Sequence, residues 1–399
     1  LKNKKKQGAL WMKKDGYTGP WDVDRLMQTP EIAWGVTEEH PGFIVRQFCY
    51  NNEIYEGKAT KVFAYYAVPN RARDSLVPGV VLVHGGGGKA FSEWAEQWAE
   101  RGYAAIAMDL TGRDADETRM PEGGPDMTDD TMFHDISKSG SKLTDMWSYH
   151  AVAAAIRAVS FLANQCNVDS ACIGMMGISW GGYVTEIVTG IESRLAFAMP
   201  VYAAGYYMEG SCWQKNLRGM NIEHQQRWNA AFDVSQYIGQ SELPMLWATG
   251  TNDPAFYLNG WQKTYREAKG TRTLRLLPNW EHDYNTPWST QEFFVYADSF
   301  VKDEPPLLRA ISSGQSGTEA WAYYEGNRTV QSVHLLYTTD SGPYTSRKWD
   351  LMPAKFEARE KKLFCSIPDH STAYCFVIED SNGLKTSSDL VETDGNVYF

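Results

Sequence analysis

The sequence predicts an α/β fold, a mostly parallel sheet flanked by helices, followed by a small β-sandwich. Three observations carry that prediction. From Thr60 to about Lys302, apolar strand-like runs alternate with stretches of helical spacing, the pattern of parallel strands joined by crossover helices. One run, Cys172-Ile-Gly-Met-Met-Gly-Ile178, ends abruptly in Gly177-Ile178-Ser179-Trp180-Gly181, and a helical pattern leads on from Tyr183 to Ile191. Beyond Asp303-Glu-Pro-Pro306 the period changes from helical to alternating.

In chain order, residues 1–58 carry short pieces rich in Trp, Tyr and Pro and read as an N-terminal extension packed on a main domain at 59–303. Thr60–Val68 alternates as a strand, Asn70–Asp74 turns, and Gly79–His84 is a buried strand running into Gly85-Gly86-Gly87-Gly88. Ser92–Arg101 has helical spacing and Ala104–Asp109 is a strand. The polar connection from Asp109 to Thr144 holds Arg113, Asp114, Asp116, Glu117 and Pro121–Gly124; so long a loop after a strand's carboxyl end reads as the rim or lid of a pocket. A helix begins at Trp147, strands follow at Leu243–Gly250 and Thr273–Leu277, and a helix runs from about Pro287 to Val301. In 307–399, Ala320–Tyr324, Val330–Tyr337, Lys362–Ile367 and Ala373–Glu379 read as antiparallel strands. About five to seven short strands of this kind suggest an immunoglobulin- or fibronectin-like sandwich, with Trp349 as its core aromatic.

Composition narrows the classes of function. With 399 residues, 43% of them hydrophobic, the chain can build a large core, yet no apolar run is long enough to span a bilayer. A formal net charge of -11 argues against nucleic acid or an anionic membrane surface as partner, and the basic run Lys2–Lys6 reads as a solvated tail. The six cysteines form no CxxC pair and no metal-finger spacing. Cys172 reads as buried and inert; Cys365 and Cys375 flank Pro368–Ser371 and could face each other across a hairpin, bonded only in an oxidising compartment. A periplasmic or extracellular location, with a signal removed ahead of Leu1, is the expectation, and a cytoplasmic one stays open.

The chemistry centres on Ser179. A serine on a sharp strand-to-helix turn has its hydroxyl pushed out of the sheet, and glycines two before and two after remove clashing side chains. Such a nucleophile needs backbone amides aimed at an oxyanion: one from Trp180, one from the glycine loop at Gly86 or Gly87. The loop also reads as a plain flexible turn, but not as a phosphate cradle, because Lys89 is followed by Ala90 rather than Ser or Thr. Asp253 falls just past a strand, where active sites of open α/β sheets are built, although an Asp before Pro254 is also a common turn-former. Of eight histidines, His282 alone lies beyond Asp253 and inside the strand–helix region. His84 reads as a structural strand end, His150 as facing the core, and His334 as a sandwich strand residue. His40, His134, His224 and His370 read as loop or surface-helix residues, His134 on a loop able to overhang the site.

These residues resemble a known superfamily. From about Thr60 to Lys302, some three-fifths of the chain, the sequence is similar to α/β-hydrolases of the acetyl xylan esterase, dienelactone hydrolase and prolyl oligopeptidase-like groups. The resemblance rests on Val83-His-Gly-Gly-Gly87, Trp147-Ser-Tyr-His-Ala-Val152, Val168-Asp169, Gly177-Ile-Ser-Trp-Gly-Gly182, Pro200-Val-Tyr202 and Thr249-Gly-Thr-Asn-Asp253. It implies Ser179 as nucleophile, His282 as base and Asp253 as the acid that orients it. Two departures stand out: dienelactone hydrolases carry a cysteine where this chain has Ser179, and Trp280-Glu-His-Asp-Tyr284 lacks the His-Gly-His or Gly-His-Gly of many relatives.

The expected mechanism is acyl transfer through an acyl-enzyme, with no metal or organic cofactor required. Fifteen tryptophans and 22 tyrosines are mostly core and strand residues on this reading; Tyr202, Tyr206, Trp213 and Trp280, near the site in sequence, are assigned to substrate binding. The resulting expectation is a secreted carbohydrate esterase of acetyl xylan type acting on a small-molecule or oligosaccharide ester. The alternatives are a serine peptidase that holds a substrate's amino terminus with Asp114, Asp116 or Glu117, and a non-catalytic relative that binds glycan or protein.

Overall fold

The computed structural model describes residues 16–73, 75–135 and 142–393. The basic run Lys2–Lys6 lies outside the described residues. The first nine strands are β1 (Ile32–His40), β2 (Phe43–Tyr55), β3 (Lys58–Pro69), β4 (Val77–Val83), β5 (Ala104–Met108), β6 (Val168–Ile178), β7 (Phe197–Val201), β8 (Met245–Gly250) and β9 (Arg272–Leu277). They lie side by side in the order β1-β2-β3-β5-β4-β6-β7-β8-β9. The first three form an antiparallel meander that joins β5, and from β5 to β9 every pairing is parallel.

The sequence reading makes residues 1–58 a packed extension; instead β1 and β2 belong to the sheet itself. Polar residues such as Arg46, Gln47 and Asn51 interrupt β2, and β1 is exposed along nearly its whole length, so neither strand presents a clean apolar period. The parallel strands are easier to read because both their faces are covered. In β4, Val81 and Val83 enter one core while Val80 and Leu82 enter the other; β6 divides Ile173 and Met175 from Met176 and Ile178 in the same way. Helices Trp147–Ala163, Trp180–Ile191 and Leu258–Glu267 cover the first face, and Ser92–Glu100 with Gln291–Val301 the second. The helix expected at 287–301 is broken in two, Asn285–Ser289 and Gln291–Val301. Thr290 is extended there and its hydroxyl donates to Thr286 O, which closes the shorter helix.

Nine further strands follow: β10 (Arg309–Ser316), β11 (Glu319–Glu325), β12 (Val330–Thr338), β13 (Asp350–Pro353), β14 (Lys355–Glu357), β15 (Lys362–Ser366), β16 (Ala373–Asp380), β17 (Lys385–Ser387) and β18 (Val391–Glu392). Four of them, in the order β10-β11-β15-β14, make a separate sheet whose inner residues Ala320, Ala322 and Leu363 meet Leu335, Phe376 and Ile378 of β12 and β16 in a sandwich core. The other layer is joined edge-on to the parallel sheet, because β17 pairs with both β16 and β9. Trp349 is outside this sandwich core: it stacks with Tyr344 at 6.4 Å and packs on the main core. Cys365 and Cys375 do not oppose each other. They sit on β15 and β16, strands of different sheets, and both are free thiols.

Candidate active site

Strand register places the candidate residues on one edge. Val83 pairs with Gly177 and Ile178 with Val201, so the carboxyl ends of β4, β6 and β7 finish level. β8 and β9 end in register, Gly250 opposite Leu277. Five loops therefore open together, carrying the glycine run, Ser179, Tyr202, Asp253 and His282.

Ser179 has φ 59° and ψ -122°, a conformation costly for any residue with a side chain, and it caps the helix Trp180–Ile191. The flanking glycines have measurable reasons. A Cβ at Gly177 would lie 2.0 Å from Gly181 O, and one at Gly181 would lie 2.0 Å from Val83 O. Ser179 Oγ is 2.8 Å from His282 Nε2, and His282 Nδ1 is 2.8 Å from Asp253 Oδ2. Asp253 is buried; its other oxygen accepts the amides of Ala255 and Phe256 at 2.9 and 2.7 Å. The carboxylate is fixed before it meets the imidazole, and Nδ1 must carry the proton that faces it. Residues 179, 253 and 282 thus form one hydrogen-bonded chain, as the sequence order predicts.

The imidazole is held by stacking as well. Tyr202 lies 4.6 Å from the His282 ring at 25°, and Phe256 is near-parallel to it at 6.2 Å. Tyr202 has φ 53°, is fully buried, and donates its hydroxyl to Glu281 O. That corrects its assignment to substrate binding: it supports the histidine loop from within the core. Trp280 packs on Tyr202 at 4.6 Å and receives the Arg275 guanidinium at 4.6 Å, which ties it to the same support. Tyr206 donates to Glu267, and its ring lies beneath Lys263. Trp213 is half-buried and packs 4.5 Å from the ring of Trp180, the residue next to the nucleophile in sequence. Trp180 is itself buried among Tyr183, Tyr207 and Trp147, so most aromatics here are core.

The glycine loop offers fewer free amides than its composition suggests. Gly85 N–H donates to the Tyr284 hydroxyl at 2.9 Å, and Gly88 N–H donates to Gly85 O at 3.2 Å. His84 Nδ1 also donates to Gly85 O, at 2.8 Å, while Nε2 accepts Leu110 N–H at 2.8 Å. Burial pushes the His84 imidazole pKa down against the pull of Asp109, so the ring is neutral in the tautomer these bonds require. In a trans peptide the N–H points opposite to the preceding carbonyl, so Gly86 N–H is directed away from His84. A Cβ at Gly85 would lie 2.7 Å from Ser179 Cβ and 3.1 Å from Trp180 N, and one at Gly86 would lie 3.5 Å from Trp180 Cδ1. Gly85 therefore lies against the nucleophile and Gly86, the next residue, against the Trp180 ring; a Cβ at Gly87 would meet nothing within 4 Å.

The polar connection after β5 reaches the same place. Asp109 accepts the amides of Thr111 and Arg113, Arg113 grips Asp126 through both terminal nitrogens at 2.8 and 2.6 Å, and Phe133 comes within 6.4 Å of the Trp180 ring. His224, read as a surface or loop residue, is a buried member of helix Ile222–Phe232, with Nδ1 3.5 Å from Asp135. His40 closes strand β1 rather than lying in a loop. His150 is buried, with Nε2 2.9 Å from Thr144 O and a pKa lowered by burial to about 4. Three residues that shape the site carry no sequence signal of their own. Phe256 and Tyr284 act through ring and hydroxyl contacts, and Asn252 donates to Tyr344 O and Arg347 O at 2.9 and 2.8 Å.

With this geometry in view, the likenesses to known proteins are specific. Residues 38–206 match the family model for acetyl xylan esterase. The fold is similar to the acetyl xylan esterase of Paenibacillus sp. R4, with a TM-score of 0.57 at 19% identity over 70% of this chain and 92% of that one. It is also similar to acetyl xylan esterase 1 of Thermoanaerobacterium sp. JW/SL YS485, with a TM-score of 0.55 at 16% identity over 71% of this chain and 95% of that one. The chain has the α/β-hydrolase fold. No curated protein sequence matches it. No helix among the described residues is long and apolar enough to cross a membrane.

Proposed function

We propose that this hydrolase is a carbohydrate esterase that removes acetyl or similar acyl groups through an acyl-enzyme on Ser179. The observation that carries the reading is the hydrogen-bonded chain from Ser179 Oγ through His282 to Asp253, 2.8 Å at each step. In the mechanism, His282 Nε2 takes the serine proton as Oγ attacks the acyl carbonyl. Asp253 holds the Nδ1 tautomer and balances the imidazolium. The amides of Trp180 and Gly86 receive the oxyanion; Trp180 N–H lies at a helix N-terminus, where the backbone dipole favours negative charge. The imidazolium gives its proton to the departing sugar oxygen as the acyl–oxygen bond breaks; the same imidazole then deprotonates a water that attacks the acyl-enzyme, and returns that proton to Ser179 Oγ as the acid leaves.

Two features favour an ester over a peptide. Two of the three carboxylates considered for holding a charged amino terminus are already engaged: Glu117 pairs with Lys89 at 2.7 Å, and Asp114 accepts the amides of Asp116 and Thr118. The match to an acetyl xylan esterase model over residues 38–206 points the same way. Of the assigned aromatics, we take Trp213, half-buried against the Trp180 ring, to be the one that stacks on a sugar ring. A fluorophosphonate should label Ser179 alone, and a panel of acetylated sugars, aryl acetates and aminoacyl anilides should rank acetyl esters first. No labelling at Ser179, or a specificity constant for an anilide above every acetyl ester, would sink the reading.

A further inference from the structure

Tyr284 lies two residues beyond His282 yet makes both of its hydrogen bonds to the glycine loop, nearly two hundred positions earlier in the chain. Its oxygen accepts Gly85 N–H at 2.9 Å and its proton goes to Gly86 O at 3.1 Å. The ring that delivers this hydroxyl is fixed in turn, packed 5.1 Å from Phe91, which meets Trp288 at 4.9 Å. The loop that carries it is pinned at each step: Glu281 O by Tyr202, His282 by Asp253, and Asp283 by Thr286, whose amide and hydroxyl both donate to the Asp283 carboxylate. Burial raises the Tyr284 phenol above its ordinary range, so the hydroxyl keeps the proton it donates.

The consequence is geometric. The two peptide groups that flank the Gly85–Gly86 peptide, one ending in Gly85 N–H and one beginning with Gly86 O, are held by the one hydroxyl, while His84 Nδ1 and Gly88 N–H hold the Gly85 carbonyl between them. The Gly86 amide therefore has its plane fixed from both sides. Glycine lacks the Cβ that would restrict those planes sterically, so an outside clamp must do it.

We propose that Tyr284 is a positioning residue for the oxyanion amide of Gly86, locking the glycine loop to the loop of the base so that the two move as one unit. It does not touch the reacting atoms. The inference rests on the serine-esterase reading above, and it extends that reading from the three residues of the chain to a fourth that sets the electrostatics of the transition state.

The test uses p-nitrophenyl acetate as substrate and a trifluoromethyl ketone as a probe whose hemiketal oxygen needs the oxyanion amides. Tyr284→Phe keeps the ring and removes both hydrogen bonds. It should lower kcat about tenfold to a hundredfold, below the roughly 10²–10³ loss for deleting a donor outright. KM should stay within about twofold and the ketone should bind weaker by the same factor as kcat/KM, as expected for an interaction made only in the transition state. A second variant presses on the same clamp: a Cβ at Gly88 would lie 2.4 Å from the Tyr284 hydroxyl and 2.8 Å from His84 Nδ1. Gly88→Ala should reproduce the kcat loss, and the double variant should be no worse than the poorer single one, because both break one device.

A Tyr284→Phe enzyme with kcat within about twofold of wild type, a loss confined to KM, or a double variant that loses the product of the two single losses would each overturn the proposal. Fluorophosphonate labelling separates the two levels. If Ser179 of the wild type is not labelled, the functional reading fails and this inference with it. If the wild type is labelled and Tyr284→Phe is labelled at the same rate, the inference alone fails.

Discussion

The parallel strands β4–β9 and the antiparallel strands β12 and β16 share one sheet and pack on both faces, yet only the first group collects chemistry at its ends. Both send alternate residues into two cores: Leu335 and Phe376 enter the sandwich, while Leu336 and Cys375 face the main core. The difference lies in strand direction. Parallel strands all finish at the same edge, so the loops after β4, β6, β7, β8 and β9 pool a glycine run, Ser179, Tyr202, Asp253 and His282 there. Antiparallel strands deliver successive loops to opposite ends, so burial alone gives no shared edge on which to build a site. What the C-terminal strands contribute is support: Asn252, next to Asp253, is tied to Tyr344 and Arg347 of the segment between β12 and β13.

The largest expected effect breaks the parallel half at its centre. Ser179→Ala removes the attacking atom and nothing from the packing, so ester turnover should fall by on the order of a thousandfold or more. Asp253→Asn leaves the geometry but offers the wrong partner to His282 Nδ1, and a comparably severe loss is expected. Circular dichroism and melting should match the wild type for Ser179→Ala. Retention of more than about a tenth of wild-type turnover would remove Ser179 from the role of nucleophile.

The antiparallel flank at the other end of the sheet should lose stability where the parallel half loses rate. Glu53 of β2 is buried and accepts hydrogen bonds from Arg25 at 2.9 and 2.5 Å, Tyr149 at 2.7 Å and Arg157 at 3.0 Å. Burial works to raise its pKa, and these donors together outweigh burial and bring it down to about 2. Set against an unfolded value near 4.3, that is worth ~3 kcal/mol. Because the folded pKa is the lower, the contribution is present above about pH 4.3 and fades as pH falls toward 2. Glu53→Gln should therefore destabilise by ~3 kcal/mol at pH 7, with kcat of the folded enzyme unchanged, and the gap between the two proteins should close on acidification. A gap that stays constant from pH 7 down to about pH 2 would mean the charge is not the source.

How far the sequence could be read follows the same division. The corner at Ser179 is legible because its cause is local: Gly177 and Gly181 sit where any Cβ would strike backbone. Asp253 and His282 are legible from their places after buried strands. Residues 32–55 are not, since polar residues on a half-exposed strand dilute the alternation. Tyr202 is misread for a different reason. Its nearness to the site in sequence is real, but the side chain turns beneath His282, and a composition rich in aromatics does not say which rings face outward. Trp349 likewise carries no mark of which core it joins. Tyr284 is invisible in the sequence because its function is a pair of hydrogen bonds to Gly85 and Gly86.

A smaller effect tests the support the C-terminal strands give. Asn252→Ala leaves the bonds of Asp253 to Ala255 and Phe256 in place but cuts the two anchors to Tyr344 and Arg347. Each lost hydrogen bond is worth ~1 kcal/mol. A displacement of the Asp253 loop well below the 1 Å that costs about a hundredfold should lower kcat by about tenfold at most, with KM unaffected. Wild-type kcat in Asn252→Ala would reduce the tie to stability alone.

The smallest effect is expected in the same C-terminal half, at its outer sheet. Lys355 and Glu357 lie on β14, an exposed three-residue edge strand that pairs with β15 and belongs to the sheet that forms no pairing with the parallel strands. Exposed side chains away from caps, cores and networks usually change stability by less than about 0.5 kcal/mol. Lys355→Ala and Glu357→Gln should accordingly leave both melting and kcat/KM on an aryl acetate at wild-type values. Set beside Asn252→Ala, this pair asks whether influence on the site follows physical attachment or mere membership of the same half of the chain. A kcat/KM loss at Lys355 or Glu357 without unfolding would mean that the outer sheet reaches the active edge by a route other than the Tyr344–Arg347 segment, and the division of labour between the two regions would have to be redrawn.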